Sequence, residues 1–348
     1  MVNDKAQPPG SAERQGVVEL LFGSMKAHTL RAAIRLRIFE TVGEAERSAD
    51  DIAAEAGTQP QATLRLLRAL ASLGLLTEGA PGAFSATAQG TLLRSDVPGS
   101  LASLIAMLGE PTMQRAWEHL DDSVRSGDTS FGAVFGKDFF AHLREHPELS
   151  ALFNAAMSQA TKSTAAALPH SYDFSRFTTV ADVGGGDGTL LAAVLGAHPA
   201  LSGIVYDSQE GLAQAPATLE REGLTDRCSL VAGDFFRSAP DGADLYLLKS
   251  IVHDWTDEQA ATILSHCRDV LPPEGRVLIV EPVLPPVVGP EADAGTYLSD
   301  LNMLVNVGGR ERTRADFEAV CRRAGLAVTS ISSLPAPNTF CLIEARAA

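Results

Sequence analysis

The stretch Val180-Ala181-Asp182-Val183-Gly184-Gly185-Gly186-Asp187-Gly188 reads as a short apolar strand that turns sharply and enters a helix near Thr189. Glycine suits such a turn because a positive φ and the close approach of a ligand both exclude a Cβ. Two familiar phosphate-binding patterns fail on spacing. The dinucleotide fingerprint needs GxGxxG, but Gly184 and Gly186 are followed by Thr189, and Gly186 and Gly188 by Leu191. A Walker A loop fails as well, since no Lys-Ser or Lys-Thr pair follows. What remains is a glycine turn flanked by acids, which suits a ligand carrying a sulfonium and an α-amino group better than one carrying phosphates.

Downstream, the segments GIVYD, CSLVAGD, ADLYLLKS and GRVLIVEP repeat the theme of a short apolar run followed by a helical one. That alternation predicts an α/β fold, a parallel sheet covered on both faces. The second strand ends at Asp207, where a carboxylate at a strand tip accepts ribose hydroxyls. The third ends in Gly233-Asp234-Phe235-Phe236, an acceptor for an adenine amino group beside an aromatic ring that stacks on a purine. Each acid alone is as readily a loop residue or a helix cap. Three of them on successive strand tips at one sheet edge form a site by position. The chain closes with LAVTSISSL and TFCLIEARA, separated by Pro335 to Asn338, which predicts an antiparallel hairpin.

Upstream, from Val17 to about Ser158, Leu, Ile, Ala and Met recur at helical spacing. The expected division is a disordered leader over 1–15, a helical domain over 16–168 and a ligand-binding domain over 169–348, with Pro169 to Arg176 as the joint. Ser48 to Leu76 reads as two short helices joined by Gly57 to Pro60, with Phe84 and Thr87 on a following wing. In a ligand-binding regulator of this winged-helix pattern the second helix, with Arg65 and Arg68, would enter a DNA major groove. The alternative is a packing or dimerisation module. The 28 basic and 43 acidic residues, net charge −15, work against nucleic acid as a partner. The helix from Val17 to Arg37 is apolar around much of its circumference and must be buried, a second subunit being one way to cover it.

The four cysteines have neither CxxC spacing nor a disulfide framework, so they predict reduced thiols and no metal site. No run approaches the roughly 18 apolar residues of a membrane span. A cytoplasmic protein with no membrane partner is expected.

The fourth strand runs into Leu247-Leu248-Lys249-Ser250-Ile251-Val252-His253-Asp254-Trp255, beside the glycine-turn site. A histidine there, with an ordinary pKa near 6.5, is expected to be neutral and able to deprotonate a phenol of pKa about 10. A lone histidine is more often structural, but the other seven follow no strand tip of this sheet. Glu281 ends the fifth strand, and Glu311 sits in Gly308-Gly309-Arg310-Glu311-Arg312-Thr313. If both reach His253, they fix its tautomer and stabilise the imidazolium. Against this, Arg310 and Arg312 read equally well as partners of surface acids, and Thr313 as an ordinary helix cap.

In the order DVGGGDG, GDFF, LKSIVHDW and GGRERT, the chain resembles, over nearly its full length, the plant caffeic acid-type and bacterial polyketide-tailoring O-methyltransferases. The resemblance implies a seven-stranded class I methyltransferase (Rossmann-like) sheet with an N-terminal winged-helix-like dimerisation domain, and a homodimer formed through the N-terminal helices. It implies S-adenosylmethionine as cofactor, held by Asp182, Gly184, Gly186, Asp207, Asp234, Phe235, Lys249 and Trp255, with no metal. His253 would be the general base, flanked by Glu281 and Glu311. Trp117, Phe153, Met157, Asp254, Asn302, Met303 and Asn306 would face a small aromatic or polyketide-like acceptor, with Met107 and Met113 adding to its apolar wall.

The chain departs from the family in having Ser208-Gln209 after Asp207, and one residue fewer between Asp300 and Gly308 than the plant pattern. A family member that uses S-adenosylmethionine without methyl transfer, as a hydroxylase or decarboxylase, stays open at this point.

Overall fold

A computed structural model describes residues 10–290, 292–336 and 338–348. It divides into two compact units, the first ending at Glu110 and the second running from Pro111 to Ala348. The first holds helices α1 (Ser11–Leu21), α2 (Gly23–Arg35) and α3 (Ile38–Val42), strand β1 (Arg47–Ser48), helices α4 (Ala49–Glu55) and α5 (Pro60–Ser72), strands β2 (Leu76–Glu78) and β3 (Ala83–Ala86), and helices α6 (Ala88–Thr91) and α7 (Ala102–Leu108). The three strands pair antiparallel in the order β1-β3-β2.

This is the winged-helix pattern expected from the sequence, and its punctuation is local. The Ser48 hydroxyl accepts the Asp51 N–H to cap α4, Pro60 opens α5, and Thr87 caps α6. Phe84 on β3 is fully buried with Phe39, Ile52, Leu67 and Leu70.

Two expectations at the amino end are corrected. Residues 1–9 of the expected leader lie outside the described residues, but Ser11 to Gln15 begin a helix. The apolar segment after it is two helices, broken at Phe22, and within this chain it is not buried. Ala33 is the one buried residue of α1 and α2, while Val17, Leu20, Leu21 and Met25 are exposed.

The second unit opens with short helices α8 (Pro111–Trp117), α9 (Leu120–Ser126), α10 (Ser130–Phe135) and α11 (Phe139–Glu145), then the long α12 (Pro147–Ser171). The alternating part follows: β4 (Thr179–Val183), α13 (Thr189–Ala197), β5 (Ser202–Asp207), α14 (Ala215–Arg221), β6 (Cys228–Ala232), β7 (Leu245–Lys249), α15 (Asp257–Asp269) and β8 (Arg276–Leu284). Helix α16 (Ala294–Asn302), strand β9 (Arg312–Thr313), helix α17 (Arg314–Arg323) and strands β10 (Leu326–Ser333) and β11 (Phe340–Ala347) complete it.

The expected joint at 169–176 is not where the units part. Leu168 of α12 is fully buried in the core that also holds Val180, Leu191 and Val194, so this helix belongs with the sheet.

The main sheet has the order β10-β11-β8-β7-β4-β5-β6. Strands β4 to β8 are parallel, and β11 inserts antiparallel between β8 and its hairpin partner β10. Period-two alternation builds both cores. Val180, Val205, Leu245 and Leu247 face α13 and α14, while Ala181, Val183, Tyr246 and Leu248 face α15 and α17. The chain order reverses at β4, between β5 and β7, the place where open α/β sheets leave a crevice at the strand ends. Asp182, Asp207 and His253 all sit at or just beyond that edge. Off this path, β9 pairs with the end of β8, Val283 opposite Arg312, which brings the GGRERT segment onto the strand carrying Glu281. Among the described residues no helix is long and apolar enough to cross a membrane.

Candidate active site

Gly184, Gly186 and Gly188 all have positive φ, as the turn requires. Gly185 does not, but an added Cβ would lie 2.8 Å from the Asp182 carboxyl carbon. The turn is tied to the next strand: the Gly184 N–H donates to the Tyr206 carbonyl at 2.7 Å, and the Gly186 N–H to the Asp207 carboxylate at 2.9 Å. Asp182 is buried at 2% exposure, and its Oδ2 has no hydrogen-bond partner. Burial, then the charges of Asp207 and Asp187, push its pKa up to about 7, with Lys249 pulling the other way. An orphaned buried carboxylate oxygen is costly. It calls for a cationic or donor-bearing ligand, and Asp207, one strand away, supplies a second carboxylate.

The His253 turn is built with equal economy. Its Nδ1 lies 3.0 Å from Glu311 Oε1, and its Nε2 lies 3.6 Å from Asp254 Oδ1. Glu281 is fully buried, and its Oε1 accepts the main-chain N–H of Ile251 at 3.0 Å and of His253 at 3.1 Å. Of the two glutamates expected at the ring, Glu311 touches it directly, whereas Glu281 is hydrogen-bonded to the main chain and reaches the ring only through its charge. The expected neutral imidazole is corrected. Burial works against its charged form, but the Glu281 carboxylate, the Glu311 hydrogen bond and Asp254 outweigh it and push the His253 pKa up to about 9. Asp254, raised chiefly by burial, reaches about 6.

Trp255 joins this turn to an aromatic cluster. Its ring stacks on Phe140 at 5.1 Å and meets Phe236 at 4.7 Å and Phe235 at 5.9 Å, while Phe153 packs edge-on against Phe139 and Phe140. Phe235 also reaches the glycine turn, within 3.8 Å of where a Gly184 Cβ would stand. Asp234 is half exposed and spends its carboxylate on the Phe236 N–H and on Arg237. Lys249 stands on β7, across β4 and β5 from the strand that leads to Asp234. Its ammonium donates to Thr161 at 3.2 Å, lies 5.0 Å over the Phe340 ring, and is pulled down to about 8 by burial against the pull of Asp182.

Of the remaining residues, Asn302 accepts from the Trp117 indole at 3.1 Å and from the Asn306 amide at 2.8 Å. Asn306 is buried with its own carbonyl oxygen unpaired. Met303 opens a π-helical turn, Met303–Val307, that ends at Gly308. Met157 precedes Thr161 by one turn of α12, and its carbonyl accepts the Thr161 hydroxyl. Met113 is buried core on α8, and Met107 belongs to the first unit.

Residues 117–327 match the model of an O-methyltransferase domain, and residues 18–96 that of an O-methyltransferase dimerisation domain. The chain belongs to the O-methyltransferase family. It is 46% identical over 338 residues, 97% of this chain and 89% of the relative, to the O-demethylpuromycin-O-methyltransferase of Streptomyces alboniger. Its structure is similar to that of a mitomycin 7-O-methyltransferase, with a TM-score of 0.89 and 34% identity, covering 97% of this chain and 98% of the other. It is also similar to an O-methyltransferase of neocarzinostatin biosynthesis in complex with S-adenosyl-L-homocysteine and 1,4-dihydroxy-2-naphthoic acid, with a TM-score of 0.78 and 31% identity, covering 93% and 96%. The regulator reading of the winged helix falls with this result.

A methyltransferase needs a donor site, and the residues present fit S-adenosylmethionine. The unpartnered Asp182 oxygen suits its ammonium and sulfonium charges, and the paired oxygens of Asp207 suit a diol.

Residues that the sequence reading passed over also meet here. Phe140 stacks on Trp255, and Arg312, for which pairing with surface acids was the alternative, is fully buried against the His253 turn.

Proposed function

We propose that this methyltransferase transfers the methyl group of S-adenosylmethionine to a hydroxyl of a small aromatic or polyketide-like secondary metabolite, with His253 as general base. The observation that carries the reading is the Nδ1–Glu311 contact at 3.0 Å. A carboxylate there holds the Nδ1–H tautomer and leaves Nε2 to accept the hydroxyl proton. S-adenosylmethionine, when bound, supplies an electrophilic methyl group on a sulfonium. Asp182 and Asp207 hold and orient the donor, and the Gly184 to Gly188 turn lets it approach the backbone. Glu281 fixes the main chain under His253, and Glu311 stabilises the imidazolium once Nε2 holds the proton. Trp255 and Phe235 give the donor pocket an apolar wall that excludes water. Phe153, Met157, Asp254, Met303 and the Trp117-Asn302-Asn306 chain frame the acceptor, and their aromatic surface favours a flat ring. The four free cysteines support a reducing, cytoplasmic setting.

The test incubates the protein with methyl-labelled S-adenosylmethionine and a panel of catechols, flavonoids, naphthoates and anthraquinones. Label on an aromatic hydroxyl is expected. Consumption of the donor with unlabelled, hydroxylated or decarboxylated product would overturn methyl transfer.

We further propose that the enzyme works as a homodimer through α1 and α2. Six large apolar residues there, Val17, Val18, Leu20, Leu21, Phe22 and Met25, are 41–81% exposed in the single chain, a patch that monomers rarely leave uncovered. Light scattering should give twice the chain mass for the wild type and a shift toward the monomer for Leu20→Glu combined with Leu21→Glu. A wild-type monomer at micromolar concentration would refute the dimer.

A further inference from the structure

The turn that carries His253 is held almost entirely through its main chain, and from two strands. Glu281 on β8 takes the N–H groups of Ile251 and His253. Arg312 on β9 donates to the carbonyl of Val252 at 2.7 Å and to that of Trp255 at 2.8 Å, so its fork straddles His253 and Asp254. The same guanidinium places Nε and Nη2 on Asp257 Oδ1 at 3.0 and 2.9 Å. Arg312 is fully buried, and a buried cation survives only when its donors are taken, as they are here. A planar fork can span two carbonyls and a carboxylate at once, whereas a lysine is a single point of charge.

Two backbone features show that the turn needs such restraint. Ser250, at its entrance, has φ +55, a left-handed conformation that a residue with a Cβ rarely adopts. Gly309, three residues before Arg312, lies so close that a Cβ would collide with the His253 carbonyl oxygen and the Asp254 backbone. The electrostatics run in the same direction: burial, with Glu311, raises the Glu281 carboxyl pKa, His253 and Arg312 pull against that rise, and Glu281 in turn raises the pKa of His253.

We infer that Arg312 is a positioning residue for methyl transfer: by gripping the Val252 and Trp255 carbonyls it keeps the His253 ring on Glu311 and its main chain on Glu281. The inference rests on the reading of His253 as the base, so His253→Ala is measured beside every variant.

In the full-length protein, Arg312→Gln should lower kcat by about 10²-fold, the scale of an ångström-sized misplacement. Donor affinity, measured by calorimetry, should fall much less than kcat, by less than about tenfold, because the Asp182 and Asp207 carboxylates are on β4 and β5 and Arg312 reaches the donor wall only through the Trp255 carbonyl. The acid limb of kcat/KM should move from near pH 9 toward pH 6.5 as the ring loses its carboxylates. Arg312→Lys, which keeps the charge without the fork, should recover part of both. Asp257→Asn loosens the fork from its exposed end and should show the same shift in smaller measure; if Arg312→Gln does not fold, this variant decides. A rate that falls only with the folded fraction, on an unmoved limb, overturns the inference, as does a rate unchanged in the Arg312 variants. If His253→Ala keeps wild-type transfer, the base reading itself has failed. If it is inactive while the Arg312 variants are not impaired, only the positioning role has.

Discussion

Replacing His253 by alanine is expected to lower kcat for methyl transfer by about 10²–10⁴-fold, the contribution of a positioned general base. Donor affinity should be nearly unchanged, because the glycine turn is tied to β5 and not to the His253 ring. The size of the loss follows from proton affinities. Transfer from a phenol of pKa about 10 to an unperturbed imidazole is uphill by about 3.5 pKa units, or about 4.8 kcal/mol. Against a His253 of about 9 the same transfer is uphill by only about one pKa unit. Removing the ring leaves water as the acceptor. Wild-type rates in His253→Ala across the acceptor panel would refute the assignment.

The raised pKa also has a cost with a definite sign. Below about pH 9 the imidazole of the ligand-free site is protonated, and at pH 7 only about 1% of it is a free base. Activity toward a neutral phenol should therefore climb as pH rises toward about 9. Glu311→Gln removes the carboxylate at Nδ1, so the His253 titration, followed by NMR in the free protein, should fall toward 6.5. A titration already near 6.5 in the wild type would show that the Glu311 and Asp254 carboxylates do not act on the ring as their distances imply.

How much of this was legible in the sequence depends on whether the signal was local. Strand-helix alternation and the Val180 to Gly188 turn are local, because period-two patterning and the exclusion of a Cβ are properties of neighbouring residues, and they led directly to the crevice at β4. The closing hairpin was legible as two strands, but not the insertion of β11 between β8 and β10, since pairing across such distance leaves no mark on either strand. Asp182 and Asp207 could be found by position at strand tips. The two points missed around His253 share one physical origin. Glu281, on β8, and Glu311, just before β9, reach the His253 turn from 28 and 58 residues away, so neither the main-chain role of Glu281 nor the summed charge that protonates the imidazole can be read from the segment itself. The burial of Arg312 was hidden for a related reason. An arginine flanked by Arg310, Glu311 and Thr313 looks like surface, and only the pairing of β9 with β8 buries it.

The second large effect belongs to the donor site. Asp207→Ala should weaken S-adenosylmethionine binding by about 100-fold, or roughly 2.7 kcal/mol, the range expected for loss of charge-assisted hydrogen bonds at about 1.5–3 kcal/mol each. The carboxylate has two tasks. One oxygen receives the Gly186 N–H at 2.9 Å and the other the Ser208 N–H at 2.6 Å, which shapes the turn, and the proposed second task is to accept from the donor with the remaining lone pairs. Asp207→Asn keeps one carbonyl oxygen for the Gly186 N–H and should give an intermediate loss, whereas alanine frees the turn as well. Asp182 adds a pH arm. Its carboxyl, at about 7, binds a cationic donor only when ionised, so affinity should strengthen between pH 6 and 8, with a proton released on binding below pH 7. Asp182→Asn should abolish that dependence and leave weak, pH-independent binding. A donor dissociation constant flat from pH 6 to 8 in the wild type, or unchanged in Asp207→Ala, would mean that the acidic strand tips are not where the donor is held.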